Sequence, residues 1–228
     1  MYEFLFLDLD DTILDFHKAE RIAISKTIRE FGVEPTEEVL QRYHVINKWH
    51  WEQLELGKLT RAQVLENRFG MLFEELGVQA DKTACARVYE HNLSQGHWFL
   101  PGAEEAVERL SKKYRLFLAS NGTASVQKGR MTSANLYRFF ERVFVSQEIG
   151  HNKPSKAYFD AAFAQIPGFD KSKCLMVGDS LTSDIRGGIN ADIKTCWVNP
   201  GGLPCPEDIK PDYQIGYLHQ LEALLERL

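Results

Sequence analysis

Short apolar runs bounded by polar turn residues recur along the chain and predict strands. They lie at residues 4–9, 116–120, 143–146, 174–178 and 195–198. The apolar positions are continuous, a pattern typical of strands that a parallel sheet buries on both faces. Helical periodicity fills the intervals after the second run, at 103–113, 124–135, 155–165 and 183–190. From about residue 100 onward, this alternation predicts an α/β fold with a doubly wound, Rossmann-like parallel sheet.

The long stretch between the first and second predicted strands breaks this alternation. It contains no convincing strand, but four of its segments have helical periodicity, at 19–33, 36–57, 60–78 and 81–93. Some of these segments begin with Thr or Asp and several end in or next to Gly, which are the usual helix boundaries. Such a connection is too long for an ordinary crossover. We therefore predict an all-helical domain at 16–97, here called the insertion, and a core built from 1–15 and 98–228.

Composition and charge are those of an ordinary soluble globular protein, with 44% hydrophobic residues and a formal net charge of −5. This charge favours neither nucleic acid nor a membrane surface as a partner. The first apolar run lacks basic flanking residues and is too short for a signal peptide or membrane span. The cysteines form no CxxC pair and predict reduced thiols, a cytoplasmic protein and no zinc. They are Cys85, Cys174, Cys196 and Cys205.

Residues able to carry chemistry follow the predicted strands at their carboxyl ends, where a doubly wound sheet binds its ligands. The four segments are DLDDT at 8–12, SNG at 120–122, GHNKP at 150–154 and GDSLTSD at 178–184. Each segment alone could be only a turn or a helix cap. All four in this order predict a ligand site. The carboxylates of Asp8, Asp10 and Asp11 repel one another and resist burial, so a positive group is expected among them.

These four segments and the insertion resemble the haloacid dehalogenase (HAD) superfamily of phosphohydrolases, over the whole chain, with the insertion similar to the family's C1-type cap. The resemblance implies that Asp8 is a nucleophile that forms an aspartyl-phosphate, and that it stays ionised without an activating base. Asp10 would be the general acid and base. Dehalogenases of the superfamily typically lack this second aspartate, so its presence favours phosphoryl transfer.

The same resemblance implies a Mg²⁺ cofactor and a set of phosphate-binding residues. The implied metal ligands are Asp8, Asp179 and the backbone carbonyl of Asp10, with Asp184 orienting them from behind. The residues implied to hold or neutralise the phosphate are Ser120, Asn121 and Lys153. Asp11 stands where glycine is common in the family, and no catalytic role is predicted for it.

The choice of substrate depends on the insertion, in which 42–60 is aromatic and polar. This segment, its neighbour at 60–78 and the segment 175–202 resemble the YjjG-type pyrimidine 5′-nucleotidases of the superfamily. The resemblance implies a small-molecule partner, a nucleoside 5′-monophosphate, and a monomer or small homo-oligomer. The alternatives are a sugar phosphate, phosphoglycolate, or a non-catalytic phosphate-binding or phosphoacceptor module. Trp49 and Trp51 either contact the base or pack inside the insertion.

Overall fold

The central feature of the fold is one six-stranded parallel sheet, seen in a computed structural model that describes residues 1–228. Its strands are β1 (Phe4–Leu7), β2 (Arg115–Ser120), β3 (Arg142–Val145), β4 (Cys174–Gly178), β5 (Lys194–Val198) and β6 (Tyr213–Ile215). Their order is β3-β2-β1-β4-β5-β6, so the winding direction reverses beside β1. The predicted doubly wound α/β fold is confirmed, and its switch point lies at the carboxyl end of β1.

All five predicted strands are present, and their ends agree with the prediction to within two residues. The largest shift is in β1, which ends at Leu7, so Asp8 and Leu9 already belong to the following loop. The prediction missed β6, a three-residue strand at the edge of the sheet in which only Ile215 is buried. A strand this short and this exposed leaves no apolar run for a sequence pattern to detect.

The continuous apolar runs are explained by burial on both faces of the sheet. Leu5 and Leu7 of β1 pack into one cluster of 23 buried residues. Phe4 and Phe6 point the other way, into a separate cluster of 14 buried residues. Because successive side chains of a strand point to opposite faces, a strand covered on both sides must be apolar at every position.

The structure contains ten α-helices, four in the insertion and six in the rest of the chain. Those of the insertion are α1 (Phe16–Glu30), α2 (Glu37–Glu55), α3 (Arg61–Leu76) and α4 (Lys82–Ser94). The others are α5 (Ala103–Ser111), α6 (Ala124–Ser133), α7 (Ser146–Ile149), α8 (Lys156–Phe163), α9 (Arg186–Asn190) and α10 (Leu221–Leu225). The helix predicted at 183–190 begins as a wider π-helical turn, Leu181–Ile185, before α9. None of the helices is long and apolar enough to cross a membrane.

The helices of the insertion begin where their capping residues predict. Thr36, Thr60 and Asp81 precede α2, α3 and α4, and each side chain accepts a hydrogen bond from a backbone N–H of the first turn. These N–H groups have no partner inside the helix, so a side-chain acceptor at this position stabilises the helix start. The four helices pack around a separate cluster of 16 buried residues, of which only Val126 comes from outside 16–97.

Two adjacent chain segments join the insertion to the rest of the molecule. The backbone N–H of Asp15 donates to the carbonyl of Trp98 at 2.8 Å, and that of Leu100 donates to Ile13 at 3.0 Å. The outgoing and returning chains are therefore hydrogen-bonded side by side. All four cysteines are free, three of them buried and Cys205 exposed.

Candidate active site

A cavity of about 330 Å³ lies between the carboxyl ends of the central strands and the helices of the insertion. It lies at the switch point, where the fold predicts a ligand site. The predicted site residues that line it are Asp8, Asp10, Ser120, Asn121, Lys153, Asp179 and Asp184. The structure therefore brings all seven together, although they come from segments up to 176 positions apart in the sequence.

Lys153 is the positive group buried among the carboxylates, with only 1% of its surface exposed. Its Nζ donates hydrogen bonds to Asp8 Oδ1, Asp184 Oδ1 and the carbonyl of Ala119, each at 2.6 Å. Burial alone would lower the pKa of this ammonium, but Asp184 and Asp8 hold it above its ordinary value. All three donor hydrogens of the ammonium have partners, which is what keeps the charge stable in the interior.

The ionisation of Asp8 differs from the expectation for an ordinary carboxylate. Burial raises the pKa of Asp8 to about 8, with further contributions from Asp184 and Asp10, although Lys153 acts in the opposite direction. Lys153 thus offsets only part of the effect of burial, and further positive charge near Asp8 would favour its anionic form.

Three carboxylates at this end of the sheet fit a hard divalent cation. One oxygen each from Asp8, Asp179 and Asp184 lies within 4.8 Å of the others. Burial, Asp8 and Asp184 raise the pKa of Asp179 well above its ordinary value. The Asp184 carboxylate accepts hydrogen bonds from Lys153 and from the backbone N–H of Ser180, the latter at 3.1 Å. Asp179 accepts a hydrogen bond only at its backbone carbonyl, from Trp197, so its carboxylate is free to bind a metal. An all-oxygen set of this kind is what Mg²⁺ prefers.

Gly178, at the end of β4, is required by the close approach of Asp184. A Cβ atom at position 178 would lie 2.1 Å from Asp184 Oδ2, closer than any nonbonded contact allows. The glycine of the GDSLTSD segment thus makes room for the carboxylate that holds Lys153. The segment is constrained by packing as well as by chemistry.

The Asp10 side chain contacts two residues of α6 that the sequence analysis missed. Gln127 Nε2 donates to Asp10 Oδ2 at 2.7 Å, and the Arg130 guanidinium forms an ion pair with the other oxygen. Gln127 and Arg130 are both at most 1% exposed. They lie three positions apart, on one face of α6, directly after the SNG segment. That spacing was a usable signal, but a polar helix face is ordinarily taken to be solvated.

Ser120 and Asn121 have different surroundings, although they are adjacent. Ser120 Oγ accepts hydrogen bonds from the backbone N–H of Gly122 at 3.0 Å and from Gln127 Nε2 at 2.8 Å, so its own hydrogen is free to donate into the cavity. The Asn121 amide instead binds the backbone of Lys153, donating to its carbonyl and accepting from its N–H, both at 2.9 Å. The side chain of Asn121 thus positions Lys153.

Asp11 has a structural explanation for standing where glycine is common. Its backbone φ is 53°, in the left-handed region that glycine enters freely and aspartate tolerates better than most residues. Its Oδ1 accepts a hydrogen bond from the backbone N–H of Phe16 at 2.9 Å, at the start of α1. Asp11 therefore anchors the first helix of the insertion.

The two tryptophans of α2 lie on different sides of the helix. Trp51 lines the cavity and donates from Nε1 to Asn47 Oδ1 at 3.1 Å. Trp49 lies outside the cavity lining, is 45% exposed and contacts His50 edge to face. The interpretation of Trp49 as core of the insertion is therefore wrong, and only Trp51 is placed to meet a ligand.

Arg61, at the start of α3, joins the insertion to the loops of the sheet and was not predicted. Its guanidinium donates to the carbonyl of Asn121 at 2.9 Å, to Ser146 Oγ at 2.6 Å and to Asn152 Oδ1 at 2.9 Å. It also lies 5.5 Å from the centre of the Trp51 ring. One side chain thus connects the two chain segments that follow β2 and β3 with the wall of the cavity.

Comparisons with known proteins agree with this geometry. The model of the family "Haloacid dehalogenase-like hydrolase" matches residues 5–198. The pyrimidine 5′-nucleotidase PynA of Streptococcus pneumoniae is 37% identical, covering 98% of this chain and 95% of PynA. The pyrimidine 5′-nucleotidase YjjG of Escherichia coli is 32% identical, covering 98% of both chains.

A solved structure is similar over the same extent. The crystal structure of the HAD-hydrolase YfnB from Bacillus subtilis, bound to magnesium, has a TM-score of 0.94 and 37% identity, covering 98% of each chain. The matched region begins in β1 and ends with β5, so it contains every segment that lines the strand side of the cavity. This chain belongs to the haloacid dehalogenase-like hydrolase family and is a hydrolase.

Proposed function

We propose that the protein is a Mg²⁺-dependent phosphatase that hydrolyses phosphate monoesters through an aspartyl-phosphate on Asp8. The position of Asp8 is the observation that carries this proposal. It follows β1 at the switch point of the sheet, lines the cavity and lies 2.6 Å from the Lys153 ammonium. A carboxylate beside a buried cation can attack a phosphate ester that the same cation helps to hold.

The residues around Asp8 are suited to the two steps of such a reaction. In the first, an Asp8 oxygen would bond to phosphorus, the bond from phosphorus to the ester oxygen would break, and Asp10 would give that oxygen its proton. In the second, Asp10 would take a proton from water, which attacks phosphorus and releases phosphate from Asp8. Gln127 and Arg130 would hold Asp10 for both proton transfers. The free Ser120 hydroxyl and Lys153 would bind the phosphoryl oxygens.

The proposed Mg²⁺ ligands are Asp8, Asp179 and the backbone carbonyl of Asp10, with Asp184 nearby and held by Lys153 and Ser180. When bound, Mg²⁺ would supply positive charge that favours the anionic form of Asp8 and reduces its repulsion from the phosphate. The raised pKa values of Asp8 and Asp179 support a need for such charge.

Metal removal should abolish turnover of a generic aryl phosphate. We expect activity to disappear in EDTA, to return with excess Mg²⁺, and to return poorly with Ca²⁺. Calcium takes more ligands at longer distances and would disturb the reaction geometry. Phosphate release measures the effect. Asp179→Asn should raise the Mg²⁺ concentration needed for half-maximal activity, because it weakens a ligand. Undiminished activity of the chelator-treated enzyme would exclude the metal-dependent mechanism.

We also propose that 16–97 is a cap domain that closes over the cavity, and that 1–15 with 98–228 form the core. The insertion has its own buried cluster, and its two connections to the core lie side by side, a geometry suited to a hinge. Arg61 reaches from the insertion to the loops after β2 and β3. For YfnB, the magnesium-bound crystal form is described as revealing interdomain movement.

The substrates we propose are pyrimidine nucleoside 5′-monophosphates. PynA and YjjG, which are similar over nearly the whole chain, are pyrimidine 5′-nucleotidases. The cavity volume of about 330 Å³ falls in the range of small-molecule sites. Trp51 offers an aromatic side chain within that cavity, where it could contact a flat base. A panel of phosphate monoesters tests the proposal, and a sugar phosphate or phosphoglycolate as the best substrate would overturn it while leaving the phosphatase chemistry.

Trp51→Ala should alter the substrate ranking, whereas Trp49→Ala should not. We expect loss of Trp51 to lower kcat/KM for a pyrimidine nucleotide by about 10-fold, the effect of roughly 1–1.5 kcal/mol of aromatic contact. The kcat/KM for a small aryl phosphate should change less, because this substrate does not extend to the part of the cavity that Trp51 lines. Trp49 is the matched control, since it lies on the same helix but outside the lining. Equal losses for all substrates in Trp51→Ala would mean that the residue only packs.

A further inference from the structure

A second cluster of metal-ligating side chains lies on the insertion side of the cavity. His17 and Glu20 come from α1, and His44 comes from α2. One ligand atom from each lies within 4.8 Å of the other two. All three residues line the cavity that also contains Asp8. The proposed phosphatase mechanism uses none of them.

The packing of the two helices creates this arrangement. His17 and Glu20 are three positions apart, so they project from the same face of α1. His44 approaches from α2, and its ring centre lies 4.8 Å from that of His17. His44 Nδ1 is 2.6 Å from Glu20 Oε2. Two imidazoles and a carboxylate thus converge from two helices that pack against each other.

The surrounding residues support the three side chains as they do in metal sites. Glu20 is 3% exposed, and its other oxygen accepts a hydrogen bond from Asn47 Nδ2 at 2.6 Å. His17 Nε2 lies 3.4 Å from Asp11 Oδ2. Metal-binding histidines usually pair their second ring nitrogen with a carboxylate, and metal-binding carboxylates are themselves hydrogen-bonded. In this cluster the Glu20 carboxylate is hydrogen-bonded to Asn47, and a further carboxylate, that of Asp11, lies beside the His17 ring.

The ligand chemistry of the cluster differs from that of the aspartates. Imidazole nitrogens with one carboxylate suit Zn²⁺, Co²⁺, Ni²⁺ or Cu²⁺, whereas Mg²⁺ prefers oxygen ligands alone. Two histidines and a glutamate are a known set for zinc with one position left open. The prediction that zinc is absent considered only the cysteines, and it does not apply to these residues.

We propose that His17, Glu20 and His44 form a second metal site, specific for a divalent first-row transition ion such as Zn²⁺, and that an ion bound there inhibits turnover. The ion would occupy the part of the cavity on the insertion side, where the leaving group of a phosphate ester has to lie. Inhibition should therefore raise KM more than it lowers kcat. The inhibitory part rests on the proposed phosphatase activity, whereas the binding part does not.

Zinc binding is tested by calorimetry with the full-length protein in saturating Mg²⁺, which keeps the aspartate cluster occupied. We expect one Zn²⁺ per chain in the wild type, and affinity at least about 100-fold lower in His17→Ala and in His44→Ala. His91→Ala is the matched control, because His91 is an exposed histidine of α4 that belongs neither to the cluster nor to the cavity lining. Co²⁺ provides a second readout, since its visible spectrum changes when imidazole nitrogens bind it.

Inhibition is measured with two substrates, the aryl phosphate and a nucleotide. For each protein, the readout is the KM in the presence of Zn²⁺ divided by the KM in its absence. The ratio should rise in the wild type and in His91→Ala and stay near one in His17→Ala, whose side chain is largely exposed and tolerates removal. Zinc binding that persists unchanged in the double variant of His17 and His44 would overturn the site. Binding that is lost in the variants but never changes KM in the wild type would overturn the inhibitory role.

Discussion

Asp8→Asn should abolish Mg²⁺-dependent phosphatase activity and leave the fold intact. We expect kcat to fall by at least about 10⁴-fold, the size of loss seen when an enzyme whose catalytic residues act together loses its nucleophile. A neutral amide cannot attack phosphorus, although its oxygen can still accept the hydrogen bond that Lys153 gives to Asp8 Oδ1. Phosphate release measures the loss, and circular dichroism with thermal unfolding checks the fold.

Two further measurements make this result specific. Acid quenching during turnover should trap phosphate covalently on wild-type Asp8 and not on the variant, as mass spectrometry of the peptides would show. Asp192→Asn is the matched control, because Asp192 is exposed and has a left-handed backbone that asparagine also adopts. Near-normal kcat in Asp8→Asn would remove Asp8 from the mechanism, whatever the stability of the variant.

Lys153→Met should cost both stability and activity. Asp8 and Asp184 would lose their shared counter-ion in a region where Lys153 and Asp184 are 1% exposed and Asp8 is 9% exposed. Breaking a buried ion pair by removing one partner typically costs about 3–5 kcal/mol, because a charge is left unpaired in the interior. Urea unfolding in Mg²⁺-free buffer measures the change in the free energy of unfolding.

The loss should depend on pH in a defined direction. Burial already raises the pKa of Asp8 to about 8, and removal of Lys153 raises it further. Below that pKa the carboxyl is protonated in both proteins and needs no counter-ion, so the destabilisation of Lys153→Met relative to the wild type should grow as the pH rises through 8, and should be larger at pH 9 than at pH 6. Lys156→Met is the control, because its ion pair with Asp160 is about half exposed and screened by solvent, so its loss should change stability little. Equal effects at positions 153 and 156 would contradict the structural role of Lys153.

The strands and the order of the site segments could be predicted because they depend on local pattern. A strand covered on both faces is apolar at every position, as Phe4–Leu7 is, and the polar residues begin where the strand ends. The helices of the insertion were equally predictable, since Thr36, Thr60 and Asp81 cap the helices that follow them. Of the strands, only β6 was not predicted, because just one of its three residues is buried and it leaves no apolar run in the sequence.

The partners of the site residues could not be predicted in the same way. Gln127 and Arg130 look like part of a solvated helix face, but α6 turns that face toward Asp10. Arg61 looks like an ordinary exposed residue at a helix start, but it binds the segments that follow both β2 and β3. In each case burial depends on how a helix is placed against the sheet, and nothing in the helix's own sequence records that placement.

By itself, the sequence determined the α/β class, the helical insertion and the seven residues that meet in the cavity. The class, the insertion and the four site segments follow from periodicity and from the rule that parallel strands present their carboxyl ends at one edge, and the individual residues follow from the resemblance to the haloacid dehalogenase superfamily. Only the tertiary structure decided that Asn121 holds the Lys153 backbone, that burial raises the pKa of Asp8, and that Trp51 faces the cavity while Trp49 does not. The physical reason is that solvation, hydrogen-bond partners and helix rotation depend on residues distant in the sequence.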